Sequence, residues 1–236
     1  YAARLLPVAG GPLSDRAVMR EYLLRLKEWT DRLPPSQNNF KALVLANLLR
    51  LEASQGRYSR ELFVEYLTLP RATPYYSPLR LKDNRLPLVQ SDFRLREVPL
   101  PPIGDDDDLV RRYLEHFLQS DDNLQPFAPY LAREYLDRLL AETKILYGLG
   151  DASVWYAKLS PAEQKALRDR IELRFAPENE TQYRPDQFPV LELELKNVDQ
   201  LIIKVYEFNT LNYYRKHDQP IDTTLDLDGL VANIER

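Results

Sequence analysis

The sequence predicts an α+β protein: an N-terminal all-α helical bundle over residues 1–170, then antiparallel β strands over 171–236 that open an incomplete β-sandwich. Three observations carry this reading. Apolar residues recur at steps of three and four as far as Arg170. From Ile171 the period drops to two, with Ile171, Leu173 and Phe175 alternating ahead of Pro177. Between the two regimes, Ser160-Pro-Ala-Glu163 is a capping box with proline at the first helical position, which fixes the start of one last helix.

In the helical part, Ser14 is expected to cap a helix carrying Met19, Tyr22, Leu23, Leu26, Trp29 and Leu33, which Pro34-Pro35 ends. Ser36 or Asn38 caps a second, with Phe40, Leu43, Val44, Leu48 and Leu51 on one side and Gly56 where a left-handed terminal residue is wanted. Ser59 caps a third, bearing Leu62, Phe63, Tyr66 and Leu67. Residues 68–104 hold seven prolines and read as an irregular strap; its many apolar side chains place it along the helices. Asp105 to Asp108 start a further helix with Leu109, Val110, Tyr113, Leu114, Phe117 and Leu118, where carboxylates complement the helix dipole. Pro129 opens the next, which Gly148 stops.

In the strand part, Leu191, Leu193 and Leu195 alternate with Glu192, Glu194 and Lys196, as in a half-buried strand. Residues 201–208 are more continuously apolar and read as the central strand, joined to the previous one by the four-residue loop Asn197-Val-Asp-Gln200. Leu225 and Leu227 ahead of Gly229 suggest another strand.

The chain has 236 residues, a formal net charge of −4 and no cysteine. Disulfides, thiolate metal sites and a cysteine nucleophile are therefore excluded within it. Lys and Arg are interspersed with Asp and Glu, so no basic stripe favours nucleic acid. No run approaches the roughly 20 apolar residues of a membrane span. Tyr1 in place of an initiator methionine leads us to expect a piece of a longer protein.

Several residues invite a chemical reading. Counting from Thr224, Asp226, Asp228, Gly229 and Glu235 fall where a calcium loop places its ligands, its glycine and its bidentate acid. Thr at the first position and a strand-like approach favour a strand running into a glycine turn, so Asp226, Asp228 and Glu235 stay as calcium candidates only. No cofactor is expected, since Gly148-Leu-Gly150 follows a helix and lacks the Lys-Ser/Thr of a phosphate loop. His116 and His217 lie about 100 residues apart with no second histidine at ligand spacing, and read as a partly exposed helix residue and a loop residue. Glu192 and Glu194 share a strand face about 7 Å apart and become a carboxylate pair only where a cleft forms over them. Tyr206, Tyr213, Tyr214 and Arg215 form an aromatic and basic cluster, the interaction candidates of this chain.

Residues 191–198, Leu-Glu-Leu-Glu-Leu-Lys-Asn-Val, followed by 201–208, Leu-Ile-Ile-Lys-Val-Tyr-Glu-Phe, resemble the strands that open a macroglobulin-type β-sandwich in large bacterial proteins. Tyr183-Arg-Pro185 resembles that family's strand entry. The resemblance covers about 60 residues, carries no thioester Cys-Gly-Glu-Gln motif, and implies a cell-envelope or extracellular setting.

The expected function is that of a non-catalytic structural or protein-interaction segment of a larger protein, whose partner is another protein or a neighbouring domain. The alternatives are a macroglobulin-like module enclosing a protease or peptide, and an accessory region of a hydrolase with its catalytic domain elsewhere.

Overall fold

In the computed structural model, residues 15–70, 100–180, 183, 186–218, 227 and 229–235 are described. The class is α+β. The helices among the described residues are α1 (Arg16–Asp31), α2 (Asn38–Ala53), α3 (Arg60–Thr68), α4 (Asp107–Ser120), α5 (Arg133–Leu146), α6 (Ala152–Tyr156), α7 (Pro161–Asp169) and α8 (Thr210–His217). The strands are β1 (Glu172–Phe175), β2 (Leu193–Lys196), β3 (Lys204–Val205) and β4 (Ile234–Glu235). The chain forms two compact units, one of residues 1–170 with 174–194, the other of 171–173 with 195–236.

In the first unit α2 is the centre. The spacing predicts one apolar side, yet α2 is buried almost all round, Leu45, Ala46, Asn47 and Leu49 included. The reason is its composition: Asn47, Arg50 and Glu52 are the polar residues of its last two turns, and each is bonded to a neighbour. Asn47 donates to Pro101 O at 3.1 Å and Arg50 to Ile103 O at 2.5 Å, so residues 101–103 run along α2 as the strap was expected to do. Residues 71–99 of that strap lie outside the described residues. Behind α2, Phe63 and Tyr113 stack at 5.0 Å and Phe117 and Phe127 at 5.9 Å, locking α3 to α4 through aromatic contact.

Caps explain where the helices begin. Asp15, one residue past the expected Ser14, accepts from Ala17 N at 2.8 Å and Val18 N at 3.2 Å. Ser59 caps α3, and the capping box of Ser160 and Glu163 forms in both directions. The short 3-10 turn Pro35–Gln37 leads into α2 without a side-chain cap. Pro129 lies in a turn ahead of α5, which starts four residues later at Arg133. Of the four aspartates at the start of α4, the N-cap residue Asp106 is fully buried and accepts from the Tyr66 hydroxyl at 2.7 Å, a packing role beyond the dipole.

In the second unit, β3 pairs antiparallel with β4, Lys204 opposite Glu235 and Val205 opposite Ile234. The expected hairpin of 191–196 with 201–208 does not form: β2 pairs with β1, and β3 with β4, in separate two-stranded sheets. Asn197, the residue after β2, has φ 52°. Residues 210–217, which hold Tyr213, Tyr214, Arg215 and the expected loop residue His217, form α8, started by the Asn209 side chain, which accepts from Asn212 N at 2.9 Å. Ile202, Ile203, Val205, Val231 and Ile234 are all exposed.

Two expectations follow for the helical unit. Tyr66→Phe removes the hydroxyl that a buried carboxylate accepts, and should lower unfolding free energy by about 1–3 kcal/mol in urea melts. Burial by itself raises the Glu52 pKa, but hydrogen bonds from Arg57 at 2.5 Å and Arg20 at 2.6 Å outweigh it and hold the carboxyl below its ordinary 4.5. A depressed carboxylate stabilises the fold above pH 4.5 and loses that contribution as pH falls through the folded value. Glu52→Gln should therefore flatten the acid limb of a plot of urea midpoint against pH.

Candidate functional site

A groove of about 440 Å³ runs along α4 in the first unit. Its floor is a stripe of α4 side chains, Arg112, Glu115, His116 and Gln119, whose spacing of three and four puts them on one side of the helix. Tyr58 and Tyr147 add aromatic rings to the lining, and Arg174, residues 176–178 and residues 192–194 form the wall across from α4.

Local chemistry places each part. Gly56, with φ 67°, ends α2: Arg57 N donates to Glu52 O at 2.9 Å and Gly56 N to Ala53 O at 2.9 Å, and the reversal presents Tyr58. Gly148, with φ 63°, ends α5 in the same way, with Leu149 N bonded to Lys144 O at 2.8 Å, and Tyr147 is the last residue before that reversal. The wall is clamped by Asn179, whose side chain accepts from Glu192 N at 2.7 Å and donates to Glu192 O at 2.8 Å. Arg16 reaches across from α1 to Asn179 O at 2.9 Å and Ser54 O at 3.0 Å.

Beneath the floor lies an ion network. Glu115, 4% exposed, accepts from Arg111 Nε at 2.6 Å and Arg174 Nη1 at 3.2 Å. Arg111 also donates to Glu142 at 2.8 Å, and Arg138 and Arg170 approach Glu142 at 3.8 and 3.6 Å. Arg111 stays charged: burial opposes its charge, but the two carboxylates raise its pKa above the ordinary value. This network joins α4, α5 and the 174–194 wall.

The groove itself is polar. Burial raises the Tyr58 pKa, with Glu178 adding to the rise and Arg112 opposing it. Burial likewise raises the Tyr147 pKa, helped by Glu194 and Glu115 and opposed by Arg174. His116 stacks on Tyr58 at 3.9 Å, and burial lowers its pKa, so its imidazole is neutral at physiological pH. Among the described residues, Arg112, Glu178, Glu192 and Glu194 make no side-chain hydrogen bond or ion pair.

The structure brings Glu192 and Glu194 to one groove, the cleft that their strand pattern made conditional. Tyr213, Tyr214 and Arg215 are successive residues of α8 and point about 100° apart, while Tyr206 stacks on Phe208 at 6.4 Å. Glu235 lies in β4 with Lys204 at 3.7 Å, and Asp226 and Asp228 fall outside the described residues. No cluster of three metal-ligating residues occurs among the described residues, and no helix there is long and apolar enough to cross a membrane. Tyr58, Tyr147 and Arg112 were not singled out by sequence; the helix-ending glycine near each tyrosine, Gly56 two residues before Tyr58 and Gly148 directly after Tyr147, was the available signal.

A helical domain with a rigid polar groove and strands following it defines an interaction module as a class. The particular family is set by comparison: residues 1–171 match the actin-binding protein F N-terminal domain, and the chain belongs to that family. Residues 201–236 match the first immunoglobulin-like domain of the same protein type. Over 244 aligned residues the chain is 31% identical to actin-binding protein F of Dictyostelium discoideum, covering all of this chain and 10% of that protein. The chain thus spans about a tenth of the length of the curated relative it matches. No solved structure matches.

These matches correct the macroglobulin resemblance. The alternating residues 191–208 are common to many antiparallel sandwiches, and the stretch from 201 belongs to an immunoglobulin-like domain of a eukaryotic protein type. The bacterial origin and the cell-envelope or extracellular setting, which rested on that resemblance, are overturned with it.

The buried network yields a prediction. Glu142→Gln leaves the charge of Arg111 partly unanswered in the interior and should cost about 3 kcal/mol in chemical unfolding. Glu28→Gln, which breaks an exposed pair with Arg32, should stay within about 0.5 kcal/mol in the same assay.

Proposed function

We propose that this chain is a non-enzymatic protein-interaction segment of a larger actin-binding protein, working at the actin cytoskeleton. The observation that carries the reading is the family match across residues 1–171, which takes in the helices of the first unit and all four α4 residues of the groove, together with Tyr58 and Tyr147. The geometry supports it. The charges best placed for acid or base chemistry, Glu115 and Glu142, are consumed in ion pairs with Arg111, Arg174 and Arg170. The open groups of the groove are carboxylates and tyrosines on a clamped scaffold, which suits recognition of another surface.

Co-sedimentation of the 236-residue chain with actin filaments tests this. The chain should pellet in a saturable manner with rising filament concentration and stay in solution when filaments are omitted. Recovery in the supernatant at every filament concentration would overturn direct actin contact by this segment.

A further inference from the structure

We infer that the groove along α4 is a receptor for a basic side chain, arginine above lysine, presented by a protein partner. This rests on the protein-interaction reading above and is independent of whether the partner is actin.

The charge pattern comes first. Four carboxylates and two guanidiniums line the groove, namely Glu115, Glu178, Glu192 and Glu194 against Arg112 and Arg174. Glu115 and Arg174 are bonded to each other at 3.2 Å, and Arg111 is also on Glu115 at 2.6 Å. Among the described residues, Arg112 therefore shares the groove with three carboxylates that no other side chain pairs, and an anion is disfavoured there.

The shape is the second argument. Tyr147 stands 43% exposed in the groove lining, giving a π face over which a guanidinium can lie flat. Tyr58 is the second ring of the lining, with His116 stacked on it at 3.9 Å. After burial, Glu178 and Glu194 raise the Tyr58 pKa and Glu194 and Glu115 raise that of Tyr147, so both rings sit in the field of the groove carboxylates. Glu178 also lies by the Gly56 turn, its Oε1 3.9 Å from where a Cβ would stand. A planar cation in the groove has more than one carboxylate to meet, which suits the fork of arginine better than a single ammonium.

The third argument is preorganisation. Asn179 fixes the backbone of Glu192, Arg16 fixes the 178–179 backbone, and Arg174 fixes the wall to Glu115. The site therefore orders few side chains on binding, and binding forfeits little conformational entropy.

The test is an NMR titration of the intact chain with N-acetyl-argininamide, reading the ring signals of Tyr58 and Tyr147. Saturable shifts in the millimolar range are expected, with none of comparable size from the neutral isostere N-acetyl-citrullinamide or from N-acetylglutamate. Glu178→Gln with Glu194→Gln should weaken binding at least fivefold, and Arg112→Gln should tighten it at least twofold. That opposite sign guards against a general folding defect. Absence of saturable shifts, equal shifts from the citrulline probe, or affinity unchanged in the double variant would overturn the inference. Filament co-sedimentation separates the two readings: a chain that pellets but ignores the arginine probe sinks the groove assignment alone. A chain that takes the probe but never pellets sinks the actin reading and keeps the groove.

Discussion

The helical unit depends on one guanidinium. Arg111 lies between Glu115 and Glu142, one carboxylate on its own helix and one on α5. Removing three charges from water costs several kcal/mol per ion, and only near-ideal hydrogen bonding recovers it. The Arg111 fork meets that demand because its Nε and Nη2 point to different acceptors at 2.6 and 2.8 Å. With α4 and α5 registered in this way, Arg174 finds the second oxygen of Glu115, and the wall of the groove is set by the same charge that joins the helices.

The groove inherits its character from that arrangement. Among the described residues the strongly desolvated charges nearby are paired, so what remains open there is a surplus of carboxylates with the Arg112 guanidinium. Aromatic packing supports it from the other side: Tyr58 meets Tyr113 edge-on at 5.0 Å, and Tyr113 donates its hydroxyl to Leu49 O at 2.9 Å. Packing of the centre and chemistry of the surface are thus connected through α4, whose one side is core and whose other side is groove.

Much of this was legible in the sequence where the signal is local. The capping box at Ser160, the cap at Ser59, the glycine stop at Gly56 and the apolar face of α4 each follow from a few adjacent residues. What was not legible depends on distant partners. Glu115 and Glu142 look like ordinary solvated helix charges until Arg111 and Arg174, up to 59 residues away, are brought to them. Strand partnering failed for a related reason: residues 191–208 alternate well enough to suggest a hairpin, but alternation fixes a face and leaves the partner open. Tyr213, Tyr214 and Arg215 looked clustered because they are adjacent in sequence, and on α8 adjacency is what separates them.

The paired oxygens around Arg111 also bear on how this sequence can drift over evolutionary time. Lysine carries one ammonium on a flexible stem and cannot reach two carboxylates as a rigid fork, so an Arg-to-Lys exchange that is neutral on most surfaces is not neutral here. A change to an apolar residue at position 111 strands two buried carboxylates unless 115 and 142 change with it. Replacement of this trio is therefore a concerted event, and in diverging descendants the three positions are constrained to be kept together or exchanged together.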